Sequence, residues 1–213
     1  MKKYRIAIVG LGATGTVLAA ALLRKDPRTI LVGRSHGMRK TLLKDGIRVS
    51  GPISYYVPAE NYCGSIQDLG KYSPNLIFIS TKTCDLARVL DELETVFKPG
   101  TKIVSTHNGL GTEDLIAERF GADSAFRMSL NFGVSRIEPG QVKAAFFNPP
   151  NHLGAVIPEN HKVGEDIAGL FTDAGLDTMY VDDIKLHIWK KPVFIKIQCA
   201  LTSKTGNRQK STS

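Results

Sequence analysis

The chain has 213 residues, 42% of them hydrophobic, and carries a formal charge of +8. That length fits one large domain, or one domain with part of a second. The composition supports a packed core and excludes wholesale disorder. The charge is uneven: residues 182–213 hold seven Lys or Arg against two Asp, a net of +5, which leaves +3 for the first 181. No helix-turn-helix, zinc-finger or RNA-binding motif accompanies the basic end, so it reads as a solubilising tail and no nucleic-acid partner is expected. Three cysteines stand far apart, Cys63, Cys84 and Cys199. Their odd number and wide spacing argue against a disulfide framework and a structural zinc, and for a reducing, cytoplasmic setting. The five histidines show no metal-ligand spacing, so no metal is expected. No apolar run approaches the roughly 20 residues that a membrane span needs. The stretch from Ile6 to Leu23 is broken by three glycines and two threonines at ordered spacing, and is read as neither membrane anchor nor signal peptide.

The first element is a buried strand over residues 4–9, Tyr-Arg-Ile-Ala-Ile-Val, followed by a glycine turn from Gly10 to Gly15. Thr16 to Leu23 reads as a helix, with Val17, Leu18, Ala21 and Leu22 at helical spacing. Thr29 to Val32 is a short strand ending at Gly33-Arg34, and Met38 to Lys44 is a helix stopped by Asp45-Gly46. Ile47 to Val49 and Ile53 to Val57 are expected to form a hairpin or an extra strand pair. Leu76 to Ser80 is a strong strand. A helix from Asp85 to Val96 follows, with Leu86, Val89, Leu90 and Leu93 on one face and Pro99-Gly100 beyond its end. Then come a strand over Lys102 to Ser105, a helix over Glu113 to Phe120, and alternating strand-like residues over 125–157. A helix over Glu165 to Ala174, a short strand over Met179 to Val181 and a longer helix from Ile184 to Leu201, interrupted at Pro192, complete the pattern. Alternation of strand and helix at about 30 residues per unit implies a parallel sheet covered on both faces. Residues 203–213 contain no apolar side chain and are expected to form a frayed tail.

Gly10-Leu11-Gly12-Ala13-Thr14-Gly15 matches G-x-G-x-x-G, directly after an apolar strand and at the mouth of a helix. In that context the pattern is the phosphate-binding turn of a Rossmann-type doubly wound sheet. Gly10 permits the sharp turn, Gly12 lets a pyrophosphate reach the backbone, and Gly15 lets helix and strand pack closely. The helix N-terminus offers free N–H groups and a partial positive charge. At the end of the second strand an NAD enzyme usually carries Asp or Glu for the ribose hydroxyls, whereas here the run is Val32-Gly33-Arg34-Ser35. The fork of Arg34 suits a dianionic 2′-phosphate, with Arg39 and Lys40 able to add charge, so NADP is expected over NAD. Polar residues follow two further strands: Thr81-Lys82-Thr83 and Thr106-His107-Asn108-Gly109. Ligands of open α/β sheets bind at the carboxyl ends of strands, so Lys82 and Asn108 are expected at the nicotinamide end, with His107 structural. The bland alternatives are a solvated Lys82 and an Asn108 that merely tolerates a left-handed turn.

These residues, with Gly33-Arg34, Ser80-Thr81-Lys82 and His107-Asn108-Gly109-Leu110-Gly111, resemble ketopantoate reductase (2-dehydropantoate 2-reductase). The resemblance extends through Asp183-Ile184 to Ile188-Trp189-Lys190-Lys191, covering roughly residues 4–194. It implies an NADP-binding domain over 1–181 and, over 182–213, the start of a truncated helical domain with a polar basic tail. It implies NADPH-dependent reduction of a small 2-oxo acid, ketopantoate, on the route to pantothenate and coenzyme A. Lys191 would be the general acid, Lys82 and Asn108 would contact the cofactor ribose, and Arg34 would hold the 2′-phosphate. The family usually places Asn four and eight residues beyond that lysine; here Ile195 and Cys199 stand instead. An inactive NADP-binding module and a reductase of another 2-oxo acid therefore stay open. A C-terminal helix without its packing partners would expose Ile188, Trp189, Phe194, Ile195, Ile197 and Leu201, which points to self-association as a homodimer.

Overall fold

The computed structural model describes residues 4–190. Its first strand, β1 (Ile6–Val9), is buried throughout and runs into helix α1 (Ala13–Lys25). Then follow β2 (Ile30–Val32), α2 (His36–Asp45), β3 (Ile47–Ser50), β4 (Tyr55–Val57) and β5 (Asn61–Cys63). Next come β6 (Leu76–Ile79), α3 (Leu86–Glu94), β7 (Lys102–Ser105), α4 (Thr112–Phe120) and β8 (Ala125–Ser129). The remaining elements are β9 (Phe132–Glu138), β10 (Gln141–Phe147), β11 (Asn151–Ala155), α5 (His161–Asp173) and β12 (Thr178–Tyr180), before a helical segment over 184–190. No helix among the described residues is long and apolar enough to cross a membrane.

Eight strands form the main sheet in the order β12-β11-β8-β7-β6-β1-β2-β5. Its centre is parallel, as the strand–helix alternation requires, because a parallel neighbour needs a crossover. Successive residues of each central strand point to opposite faces, and both faces are covered. Ile6, Ile8, Leu76, Phe78 and Val104 join α1 and α5 in one core; Ala7, Val9, Ile77, Ile79 and Ile103 join α3 and α4 in the other. This two-sided burial is why the strands read as unbroken apolar runs.

The structure departs from the all-parallel expectation in two places. β11 pairs antiparallel with β8 and carries β12 with it. The hairpin β3–β4 leaves the main sheet altogether: β3 pairs in parallel with β10, and a second sheet forms in the order β4-β3-β10-β9. That sheet lies over α1, whose side chains share a core with Ile47, Val49, Tyr55, Val57, Val142 and Ala144. Helix α1 is thus enclosed between two sheets. Gly15 through Leu23 are all buried, not only the single face at helical spacing, because a helix with apolar neighbours on every side has no solvent face. The short, polar β5 was not anticipated, since its only strand signal is pairing with the edge of β2.

The 184–190 segment docks on this core. Ile184 and Ile188 are 3% and 5% exposed, which corrects the expectation that Ile188 is partly exposed. Trp189 remains 62% exposed. Phe194, Ile195, Ile197 and Leu201 lie outside the described residues, as does the polar tail.

Among the described glycines the least room is at Gly15, where an added Cβ would stand 1.9 Å from the carbonyl oxygen of Gly10. Alanine gains up to about 1 kcal/mol of helix propensity over glycine. Overpacking against rigid backbone costs more, typically up to about 3 kcal/mol. Gly15→Ala is therefore expected to destabilise the protein by about 1–2 kcal/mol net, read as a lower urea midpoint at unchanged slope. A midpoint at or above that of the parent would show that α1 shifts freely.

Candidate functional site

The carboxyl ends of β1, β2 and β6 open into a cleft of about 420 Å³. Its floor is the turn from Gly10 to Thr14. Gly10, directly after β1, has φ +97, and a Cβ there would lie 2.7 Å from the backbone nitrogen of Thr81. Gly12 is the N-cap of α1, and nothing lies within 4 Å of the place its Cβ would take. The helix behind it has no side-chain cap and no acidic residue in its first turn. The first N–H groups of α1 have no intrahelical acceptors, and their partial positive charge meets no carboxylate in that turn. An uncapped helix N-terminus facing open space across a residue without a side chain is built for an anion that approaches the backbone. Leu11, 7% exposed, and Ala13 pack into the surrounding core while Thr14 lines the cleft.

The second wall follows β2. Tyr62 on β5 donates from its hydroxyl to the carbonyl oxygen of Gly33 at 2.7 Å, fixing the turn that presents Arg34. The value of Tyr62 is invisible in sequence, because it lies 29 residues from the Gly33 that it holds. Arg34 lines the cleft with a side chain 70% exposed, but it is not alone there. Its Nη2 stands 3.9 Å from Asp85 Oδ1, and Arg88 Nη2 stands 3.4 Å from the same oxygen. Arg88 also pairs with Glu92. Two guanidiniums and two carboxylates thus share this end of the cleft, a balance that the lone Arg34 of the sequence did not reveal. Arg39 and Lys40, expected to add charge, do not line it.

Ser80, Thr81 and Lys82 form the third wall, after β6. Asn108 is exposed on the loop after β7 and is not among the lining residues. The left-handed alternative does not apply to it: among the described residues Ser73 is the one non-glycine with positive φ. Its loop is nonetheless tied to the cleft, since His107 Nε2 stands 3.4 Å from Thr81 Oγ1. Lys191 lies outside the described residues. The segment that precedes it is held by Ile184 and Ile188, by an ion pair from Lys185 to Asp114 at 2.9 Å, and by His187 stacked on His152 at 4.1 Å.

A family model described as ketopantoate reductase PanE/ApbA matches residues 6–156. The chain belongs to that family. Among curated relatives, it is 24% identical over 189 residues to the 2-dehydropantoate 2-reductase of Streptococcus pyogenes serotype M3, covering 87% of this chain and 59% of that protein. It is 23% identical over 195 residues to that of Aquifex aeolicus, covering 89% and 59%. The crystal structure of 2-dehydropantoate 2-reductase from Geobacter metallireducens superposes with a TM-score of 0.79 at 27% identity, over 89% of this chain and 62% of that one. A ternary structure of D-mandelate dehydrogenase with NADH and anilino(oxo)acetate shares the fold at a TM-score of 0.75 and 20% identity, over 88% and 60%. The chain therefore spans about three fifths of the length of the relatives it matches.

Within this ketopantoate reductase family member, His107 is as structural as the sequence suggested. It is 6% exposed, and its Nδ1 is 2.9 Å from Ser105 Oγ. Burial, aided by the nearby Arg127 guanidinium, pushes its pKa down to about 4. Above the ordinary histidine value both folded and unfolded forms are neutral and the group contributes no pH dependence. As pH falls from about 6.5 towards 4 the unfolded chain binds a proton that the folded chain refuses. Stability is lost across that window at up to about 1.4 kcal/mol per pH unit. Urea midpoints at several pH values are expected to fall less steeply for His107→Gln than for the parent, and parallel profiles would refute this.

Proposed function

We propose that this chain forms the NADPH-binding part of a reductase acting on a small 2-oxo acid, with 2-dehydropantoate as substrate and pantoate as product. The observation that carries the reading is the open backbone cradle at Gly12, set against an uncapped helix N-terminus in a chain of the ketopantoate reductase family. Residues 1–181 are taken as the nucleotide-binding unit and the cytoplasm as its setting.

The N–H groups at the start of α1 bind the pyrophosphate, approached across Gly12 and flanked by Leu11, Ala13 and Thr14. Arg34 takes the 2′-phosphate, exchanging its long contact with Asp85 for a charge-assisted one. Lys82 and Asn108 hold the ribose at the nicotinamide end. When bound, NADPH supplies a hydride to the carbonyl carbon of the substrate. Lys191 holds a proton on Nζ and delivers it to the carbonyl oxygen, so that no alkoxide is released into water. A second reading, reduction of a different 2-oxo acid, is favoured by Ile195 and Cys199, which stand where the family's asparagines are expected. Neither residue type carries the amide of an asparagine, and buried polar partners are what discriminate one such substrate from another.

Calorimetric titration is expected to give tighter binding of NADPH than of NADH. Arg34→Ala should weaken NADPH roughly ten- to hundredfold, the loss of a hydrogen bond to a charged group, and leave NADH nearly unchanged. Asp85→Asn should shift the preference further towards NADPH. Addition of ketopantoate should then consume NADPH absorbance in the parent and not in Lys191→Ala. Equal affinities for both nucleotides would overturn the choice of cofactor; binding without consumption of NADPH would overturn the substrate.

A further inference from the structure

Arg127 is the bulkiest of the fully buried side chains, 1% exposed on the central strand β8. It sits in register with Ser105 of β7, beneath the loop over residues 106–111. Its guanidinium spreads over that loop from below. Nη2 donates to the carbonyl oxygen of His107 and, at 2.7 Å, to that of Gly109. Nη1 donates to Ser105 Oγ at 3.1 Å and stands 3.5 Å from Glu113 Oε2, itself 3% exposed. Nε is buried without a partner. Ser105 Oγ in turn is 2.7 Å from Thr112 Oγ1 and 2.9 Å from His107 Nδ1. The opposite ring nitrogen of His107 reaches Thr81 on the cleft wall.

Stability alone does not account for this arrangement. A buried ion pair with an unsatisfied N–H is generally no more stable than an apolar pair of the same volume. What the arrangement does achieve is geometric. The two carbonyls that Arg127 grips belong to the residues on either side of Asn108, and both are turned inward. Asn108 between them is exposed. A planar fork is suited to holding two acceptors at fixed separation, which a lysine ammonium is not.

We propose that Arg127 is a positioning residue for the nucleotide cleft: by clamping the backbone on both sides of Asn108 it sets where that side chain stands. His107 passes the same constraint to Thr81, so the loops after β6 and β7 are held as one wall. The proposal rests on the reading of Asn108 as a nucleotide contact given above.

The test is NADPH affinity in the parent, Asn108→Ala, the paired variant Arg127→Met with Glu113→Gln, and the three changes together. The paired variant removes both buried charges and strands neither. Asn108→Ala is expected to weaken binding about fivefold, the loss of one ordinary hydrogen bond, and the paired variant to do the same. The combination should then be no weaker than either alone, because both act through one contact. Multiplied effects of roughly 25-fold would make Arg127 a merely structural residue and overturn the proposal. So would a paired variant, or an Asn108→Ala protein, that binds as the parent does. Should the paired variant fail to fold, Arg127→Lys keeps the charge opposite Glu113 and loses the fork. A weakened affinity there that Asn108→Ala does not deepen supports the clamp, and full affinity overturns it. A parent that binds no NADPH sinks the underlying reading of the cleft, an outcome distinct from binding with independent effects.

Discussion

The fold and the cleft both depend on how closely α1 approaches the turn after β1. The carbonyl oxygen of Gly10 occupies the space that a side chain on residue 15 would need, so helix and strand close up only because Gly15 has none. That approach brings the start of α1 to the carboxyl edge of the sheet, where its unpaired N–H groups face the cleft. It also draws the helix deep enough for a second sheet to close over it. The result is a helix buried on all sides from Gly15 to Leu23, with small residues, Ala19, Ala20 and Ala21, at its middle. Larger side chains there would force the two sheets apart, since a packed interior has little spare volume to give.

The cleft is electrostatically mixed along its length. At the helix end the cradle presents backbone donors with no opposing carboxylate in the first turn. At the β2 end Arg34 and Arg88 share Asp85. The backbone end of the cleft thus presents uncompensated partial positive charge, whereas the charges at the β2 end are already partly engaged. Partly exposed pairs of this kind are each worth little on their own.

The loops after β6 and β7 are joined to each other from beneath. Ser80 Oγ meets Thr106 Oγ1 at 2.5 Å, His107 spans from Ser105 to Thr81, and Arg127 gathers the loop carbonyls. Hydroxyls and a neutral imidazole can each donate or accept, which lets such a chain satisfy itself in a dry environment. A buried guanidinium is the costly member, and it is tolerated where Glu113 and two carbonyls surround it.

The sequence by itself determined the strand–helix order, the parallel centre of the sheet and the glycine turn before α1. Each of these is written in local spacing: apolar runs for strands buried on both faces, helical periodicity in α3, and glycines at Gly10, Gly12 and Gly15 where backbone must bend or be approached. That Arg34 and Lys82 line the cleft was legible for the same reason, since each stands two or three residues beyond the end of a strand. Only the tertiary structure decided the rest. The antiparallel β11, the separate sheet over α1, the clamp of Tyr62 on Gly33, the pairing of Arg34 with Asp85 and the grip of Arg127 on the Asn108 loop join residues far apart in the chain. Nothing in the local pattern of either partner encodes such a contact. A buried arginine reads in sequence as an exposed one, and its role is set by which carbonyls and carboxylates the packed strands bring around it.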